Sequence, residues 1–259
     1  MIAMEENTTA LACEKHGAQT AKIWRLTDSA DWSPARCPEC LREQEEAELA
    51  RKQEQERKAG VQARERAIAR HIGECMVPLR FAGDTFDTYH PTCPKGGAAL
   101  ETCRRYAEGF ATQSAGLILC GLAGTGKTHL ACSIVSHVIR HHGKSARFMK
   151  TAQAVRVVKE TYSRNSSLTE QEAITSFRRF DLLVLDEVGV QFGSEAEKNI
   201  LFEIINERYE NLLPTILISN LAVPALESFV GERVIDRMRE NGGRVIVFDW
   251  PSYRNNPPA

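Results

Sequence analysis

No segment of this 259-residue chain is long and apolar enough to span a bilayer. Its longest charge-free windows are Gly109 to Gly126, with five glycines, and Leu212 to Leu226, interrupted by two prolines; a spanning helix needs about 20 mostly apolar residues. The N-terminus lacks the positive charge and apolar core of a secretory signal and carries Glu5 and Glu6 instead, so a cytoplasmic protein with no membrane partner is expected. An excess of one charge is missing too. With 33 basic and 34 acidic residues the net charge is −1, so any nucleic-acid contact has to be a local patch. No internal repeat is present. Apolar content of 42% and charged content of 26% are those of a globular protein, and the length fits one large domain plus an accessory piece.

Eight cysteines are present, and a cytosolic chain makes disulfides an unexpected use for them. Cys120 and Cys132 lie in apolar surroundings and read as small core residues. Near the N-terminus, Cys13-x2-His16 and Cys37-x2-Cys40 form two knuckles separated by 20 residues. Three thiolates and one imidazole at this spacing suit tetrahedral Zn²⁺ and leave no open coordination position, which predicts a structural metal. So little core as residues 1–40 contain would need such a staple. The alternatives are unpaired thiols, or a redox pair at Cys37 and Cys40.

Leu41 to His71 is dominated by Glu, Gln, Arg, Lys and Ala, with opposite charges at helical spacings such as Glu48 and Lys52. It predicts one helix, or two broken at Gly60. Its few apolar residues form no heptad seam, so a solvated spacer is favoured over a partner-binding helix. The expected organisation is a zinc module at 1–41, a charged helical linker at 42–72 and a nucleotide-binding domain at 73–259.

Within that domain, apolar runs at Gly116–Cys120, Arg147–Met149, Leu182–Leu185, Thr215–Ser219 and Val245–Phe248 read as buried strands, each separated from the next by enough chain for a helix. This is the pattern of an α/β fold with a five-stranded parallel sheet flanked by helices.

Gly121-Leu122-Ala123-Gly124-Thr125-Gly126-Lys127-Thr128 satisfies G-x-x-x-x-G-K-[ST] between a strand and a helix opening at His129. Such a loop turns successive backbone N–H groups toward phosphate oxygens at a helix N-terminus. Lys127 should reach the β- and γ-phosphates of ATP, and the Thr128 hydroxyl should ligate Mg²⁺. The strand Leu182–Leu185 runs into Asp186 and Glu187. Two adjacent carboxylates at the end of a buried strand fit a cation and an attacking water: Asp186 on Mg²⁺, Glu187 polarising the water. Asn220 follows another aliphatic strand, where its amide can meet the water or the γ-phosphate or simply serve a turn. Arg233 and Arg237 stand four apart on one helix face, which spacing alone reads equally well as a solvated basic face.

GLAGTGKTHL (121–130), LLVLDEVGVQ (182–191), ILISN (216–220), GERVIDRMRENGG (231–243) and WPSYR (250–254) resemble the AAA+ ATPases of the DnaC group, bacterial and phage helicase loaders, with the IstB transposition helpers as relatives. The resemblance covers roughly residues 75–254. It implies a P-loop AAA+ core, ATP and ADP as ligands, slow assembly-dependent ATP hydrolysis, a replicative helicase and single-stranded DNA as partners, and self-assembly. It further implies that Asn220 senses the γ-phosphate, that Arg233 and Arg237 reach the nucleotide of a neighbouring subunit, and that Arg254 is a second sensor. About ten residues follow the last strand, so a helical lid is expected to be absent or abbreviated. The Cys/His segment departs from the purely helical helicase-binding domain of the best-known loaders.

Ala152 to Phe180 carries Arg156, Lys159, Arg164, Arg178 and Arg179, with Tyr162 among them. Cations and an aromatic suit single-stranded DNA, and a solvated charged face with Tyr162 in the core is the alternative. The resemblance points to Lys159 and Tyr162 as the DNA contacts. Three function classes follow: a helicase loader, a transposition ATPase that binds duplex DNA, and a zinc-containing adaptor that hydrolyses little. The SYR ending and GERVIDRMR favour the loader.

Overall fold

The computed structural model describes residues 4–26, 31–112, 114–163, 165–190 and 194–253. These fall into two compact units, Met1–Arg64 and Glu65–Ala259. Among the described residues no helix is long and apolar enough to cross a membrane.

In the first unit, β1 (Met4–Cys13) and β2 (Gly17–Leu26) form an antiparallel hairpin with Cys13 opposite Gly17. Gly17, at φ +71°, closes the tight turn. The hairpin is absent from the sequence reading because its alternation is carried mainly by Thr, Ala and Gln rather than large aliphatics. Only one face is shielded, with Leu11, Ala21 and Ile23 on it. Helix α1 (Pro38–Glu74) is continuous through Gly60 and has no buried residue. A mid-helix glycine costs about 1 kcal/mol. Strong helix formers around it and the pairing of Glu54 with Arg57 and Lys58 offset that cost.

The second unit is built on a five-stranded parallel sheet: β3 (Leu117–Gly121), β4 (Ala146–Lys150), β5 (Leu182–Asp186), β6 (Thr215–Ser219) and β7 (Arg244–Phe248), in the order β4-β5-β6-β3-β7. All five predicted strands are present. Because successive strand residues point to opposite faces, each strand feeds two cores. Leu117, Leu182, Val184 and Ile216 pack on one face with α2 (Pro94–Glu108) and α3 (Lys127–His142). Ile118, Leu183, Leu185 and Leu217 pack on the other with α4 (Thr151–Lys159), α5 (Glu170–Thr175), α6 (Glu195–Glu210) and α8 (Glu232–Arg239), while α7 (Val223–Val230) contributes Leu226. Cys120 and Cys132 are buried, as read from the sequence.

One buried cation joins the loops beneath the sheet. Arg208 is fully buried, and all its N–H groups meet acceptors: Nε the Thr215 hydroxyl at 3.1 Å, Nη1 the carbonyls of Phe177 and Phe180, and Nη2 those of Asp181 and Pro214. Burial pushes its pKa down to about 9, with Tyr106 and Asp181 acting against that shift.

Candidate nucleotide site and N-terminal metal cluster

In open parallel sheets the ligand crevice lies beyond the carboxyl ends of the strands. Here a cleft of about 430 Å³ sits there, lined by the 123–129 loop, Asp186, Glu187, Asn220 and the segment around Tyr89. The strand order places these groups. β6 separates β3 from β5, so Asn220, just past β6, lies between the glycine-rich loop and the acids.

The loop has the backbone that its glycines permit. Gly121 is at φ +119° with the Phe248 carbonyl 2.4 Å from where a Cβ would stand, and Gly126 is at φ +97° with the Tyr89 ring 2.5 Å from its virtual Cβ. No other residue fits either position. The carbonyl of Thr125 accepts from the Tyr89 hydroxyl at 3.3 Å and from Trp250 Nε1 at 3.2 Å, and Leu122 N donates to the Phe248 carbonyl at 2.8 Å. Lys127, only 5% exposed, donates to the carbonyls of Gly121 and Leu122 at 2.9 and 2.6 Å. Its ammonium therefore lies over the loop.

Thr128 and Asp186, 58 residues apart in sequence, meet at 3.4 Å between Oγ1 and Oδ2. Burial raises the Asp186 pKa and the adjoining Glu187 carboxylate adds to it, while the Glu187 N–H and the Thr128 hydroxyl oppose the shift. A desolvated carboxylate of this kind gains from a cation. Glu187 is at φ +60°, a left-handed backbone conformation unusual for a non-glycine residue and one that strain concentrates at functional positions. Its carboxylate pairs with Lys150 at 2.9 Å, across the register that aligns Lys150 with Asp186.

The wall formed by Arg80, Phe81, Asp84, Tyr89 and His90 is absent from the sequence reading. It precedes the first strand of the sheet and carries no periodic pattern; its density of aromatics was the available signal. His129 fastens it to the loop. The imidazole Nδ1 is 3.3 Å from the Asp84 carboxylate, Nε2 is 3.0 Å from the Thr85 carbonyl, and the ring meets that of Tyr89 edge-on with centroids 5.3 Å apart. Burial raises the pKa of Asp84 and pushes that of Tyr89 up to about 12, so the phenol stays a neutral donor.

Other sequence candidates lie elsewhere. Arg233 is exposed on α8, whereas Arg237 is half-buried and turned onto α6. Lys159 pairs with Glu197 at 2.7 Å, and Tyr162 is 58% exposed with its hydroxyl donating to Glu170 at 2.8 Å. Tyr162 is therefore not a core residue. Arg254 and Arg164 lie outside the described residues.

In the first unit, the ligand atoms of Cys13, His16, Cys37 and Cys40 all lie within 4.8 Å of one another. Tetrahedral Zn²⁺ with Zn–S and Zn–N bonds of ordinary length requires edges of about 3.5 to 3.8 Å. The separations are 3.6 Å for Cys13–Cys40, 3.6 Å for Cys37–His16, 3.8 Å for Cys13–His16 and 3.3 Å for Cys40–His16, the imidazole facing the thiols through Nδ1. The donor set fits zinc. His16 Nε2 is 3.2 Å from Glu43, the outer carboxylate that commonly orients a metal-binding imidazole. Cys37→Ser is expected to release one equivalent of zinc and loosen the hairpin without changing ATP affinity, because the unit Glu65–Ala259 contains the whole candidate nucleotide cleft. Zinc content by atomic absorption alongside ATP titration checks this; unchanged zinc removes Cys37 from the ligand set.

A family profile described as IstB-like ATP binding protein matches residues 98–245. The chain is 35% identical over 187 residues to the replicative helicase loader DnaC of Buchnera aphidicola from Acyrthosiphon pisum, covering 72% of this chain and 76% of that protein. It is 36% identical over 171 residues to the replicative helicase loader DnaC of Escherichia coli K12, covering 66% and 69%. Among solved structures, a crystal structure of the DnaC helicase loader superposes with a TM-score of 0.60 at 26% identity, over 66% of this chain and 100% of that one. The structure of DnaI, at 19% identity and a TM-score of 0.55 over 68% and 94%, shares the fold.

Proposed function

The chain belongs to the family of DnaC and IstB-like AAA+ ATPases, and from that membership we propose that it loads a replicative DNA helicase onto single-stranded DNA, using ATP as a switch. The observation that carries this reading is identity of 35–36% over 171–187 residues to proteins named replicative helicase loaders. Residues 1–41 are read as a zinc module, 42–72 as a helical spacer and 73–259 as the ATPase domain.

In this reading the N–H groups of residues 121–128 and the start of α3 hold the phosphates of ATP or ADP, and Lys127 leaves the loop carbonyls for the β- and γ-phosphates. Thr128 and Asp186 hold Mg²⁺, which neutralises phosphate charge. Glu187 orients and polarises the attacking water, Asn220 hydrogen-bonds the γ-phosphate side of the cleft, and Tyr89 with His129 closes the wall on the nucleoside side. Arg233 and Arg237 face the nucleotide of an adjacent copy, and Arg254 acts as a second sensor. Lys159 and Tyr162 would exchange their partners Glu197 and Glu170 for a DNA phosphate and base.

The family profile's own description favours a second reading, a transposition helper of the IstB kind. Capture of a replicative helicase by the full chain with ATP and single-stranded DNA, in parallel with capture of a transposase, separates the two. Retention of transposase with no retention of helicase would replace the loader reading.

A further inference from the structure

Arg233 and Arg237, one turn apart on α8, are held differently. Arg233 is exposed, whereas Arg237 is half-buried and lies against α6: its Nη1 donates to Asn206 Oδ1, and its guanidinium carbon sits 5.5 Å from the Phe202 ring centroid and 5.1 Å from that of Tyr209. The holders are themselves held. Asn206 Nδ2 donates to Glu210 at 2.9 Å, which fixes the amide with its oxygen toward the arginine, and the Tyr209 hydroxyl donates to Glu240 at 2.5 Å.

Every holder of Arg237 is electrically neutral: one amide and two aromatic rings. Three other cations that meet α6 pair with its carboxylates, Lys159 with Glu197, Arg178 with Glu207 and Lys198 with Glu195, while Arg208 fills all its N–H groups with carbonyls and the Thr215 hydroxyl. Among the described residues no carboxylate lies within ion-pair distance of Arg237. An arginine packed only to structural ends either has its charge paired or, like Arg208, has every N–H group bonded, because unmet charge and donors cost free energy when partly desolvated; among the described residues Arg237 has neither, its hydrogen bond being the one to Asn206. A guanidinium fixed by neutral groups keeps its full charge and has already lost the rotamer freedom that a flexible arginine would lose on meeting an anion.

We propose that Asn206 and Tyr209 are positioning residues that hold Arg237 as a pre-set, uncompensated cation for the terminal phosphate of ATP bound to a neighbouring copy of this chain. This rests on the reading of Arg237 as an arginine acting between subunits. α6 is also the next helix in the chain after Asp186 and Glu187, so one element follows the acids of its own cleft and holds the arginine offered to the next.

The test uses full-length chain assembled on single-stranded DNA and follows ATP hydrolysis. Asn206→Ala should keep ATP affinity and assembly but lose roughly tenfold in assembly-dependent turnover, the scale of one hydrogen bond to a charged group. Asn206→Asp should keep the thermal midpoint and lose turnover as well, because a carboxylate pins and neutralises the guanidinium; a purely structural contact would survive that change. Mixing Asn206→Ala with Lys127→Ala should restore part of the activity, since the second variant brings an intact arginine to the intact cleft of the first. Parental turnover in Asn206→Ala overturns the proposal. So does the absence of recovery in that mixture when a mixture of Arg237→Ala and Lys127→Ala does recover. If the Arg237→Ala mixture co-assembles and recovers nothing, the reading of Arg237 between subunits fails, and the proposal falls with it.

Discussion

Lys127→Ala should abolish ATP binding at micromolar nucleotide, while Glu187→Gln should bind ATP like the parent and hydrolyse it roughly a hundredfold more slowly, the lower range for removing a general base. The two losses differ in kind. Lys127 is buried in the loop and already makes two charge-assisted bonds to its carbonyls, so its ammonium can pass to phosphate oxygens with little desolvation. Without it the phosphates lose their nearest cation in both ground and transition states. Glu187 stands at the cleft on a left-handed backbone, paired with Lys150 and outside the glycine-rich loop. Its glutamine keeps shape and hydrogen bonding but not basicity. Equilibrium titration with a fluorescent ATP analogue and single-turnover hydrolysis separate the effects; parental hydrolysis by Glu187→Gln would take the carboxylate out of the chemistry.

Arg208→Ala should lower stability by about 3 to 5 kcal/mol, which for a unit of this size corresponds to a melting-point loss of roughly 6 to 20 °C. Four backbone carbonyls and the Thr215 hydroxyl lose a donor at once, in a site with no access to water. Arg208→Lys should recover little, because one ammonium with three donors cannot span the fork that a planar guanidinium fills. Differential scanning calorimetry measures the shift. A melting point within about 2 °C of the parent would mean that the loops beneath the sheet hold without this arginine.

The strands, the glycine-rich loop and the paired acids were legible because each depends on local chemistry: aliphatic runs bounded by helical stretches, glycines where φ must be positive, carboxylates ending a buried strand. The metal knuckles were legible for the same reason, since ligand type and short spacing are sequence properties. The hairpin between them was not. Its inner face uses Thr9, Leu11, Gln19 and Ala21, too weak an alternation to register, and it is the pairing of the two strands together with the turn at Gly17 that brings Cys13 and His16 to Cys37 and Cys40. The wall around Tyr89 has no period of its own, and its role appears only once His129 binds Asp84 and the Thr85 carbonyl.

By itself, then, the sequence determined which segments become strands, which loop takes a left-handed glycine backbone and which three thiols and one imidazole form a cluster, because backbone freedom, hydrophobic pattern and ligand chemistry act within a few residues. Strand order belongs to the tertiary structure. Only packing on both faces of the sheet sets β6 between β3 and β5, bringing Thr128 to 3.4 Å from Asp186 and Asn220 to the same cleft. The same packing of α8 against α6 decided that Arg237 is held by neutral groups while Arg233, one turn away on the same helix, faces solvent. Spacing makes the two arginines equivalent; the neighbouring helix makes them different.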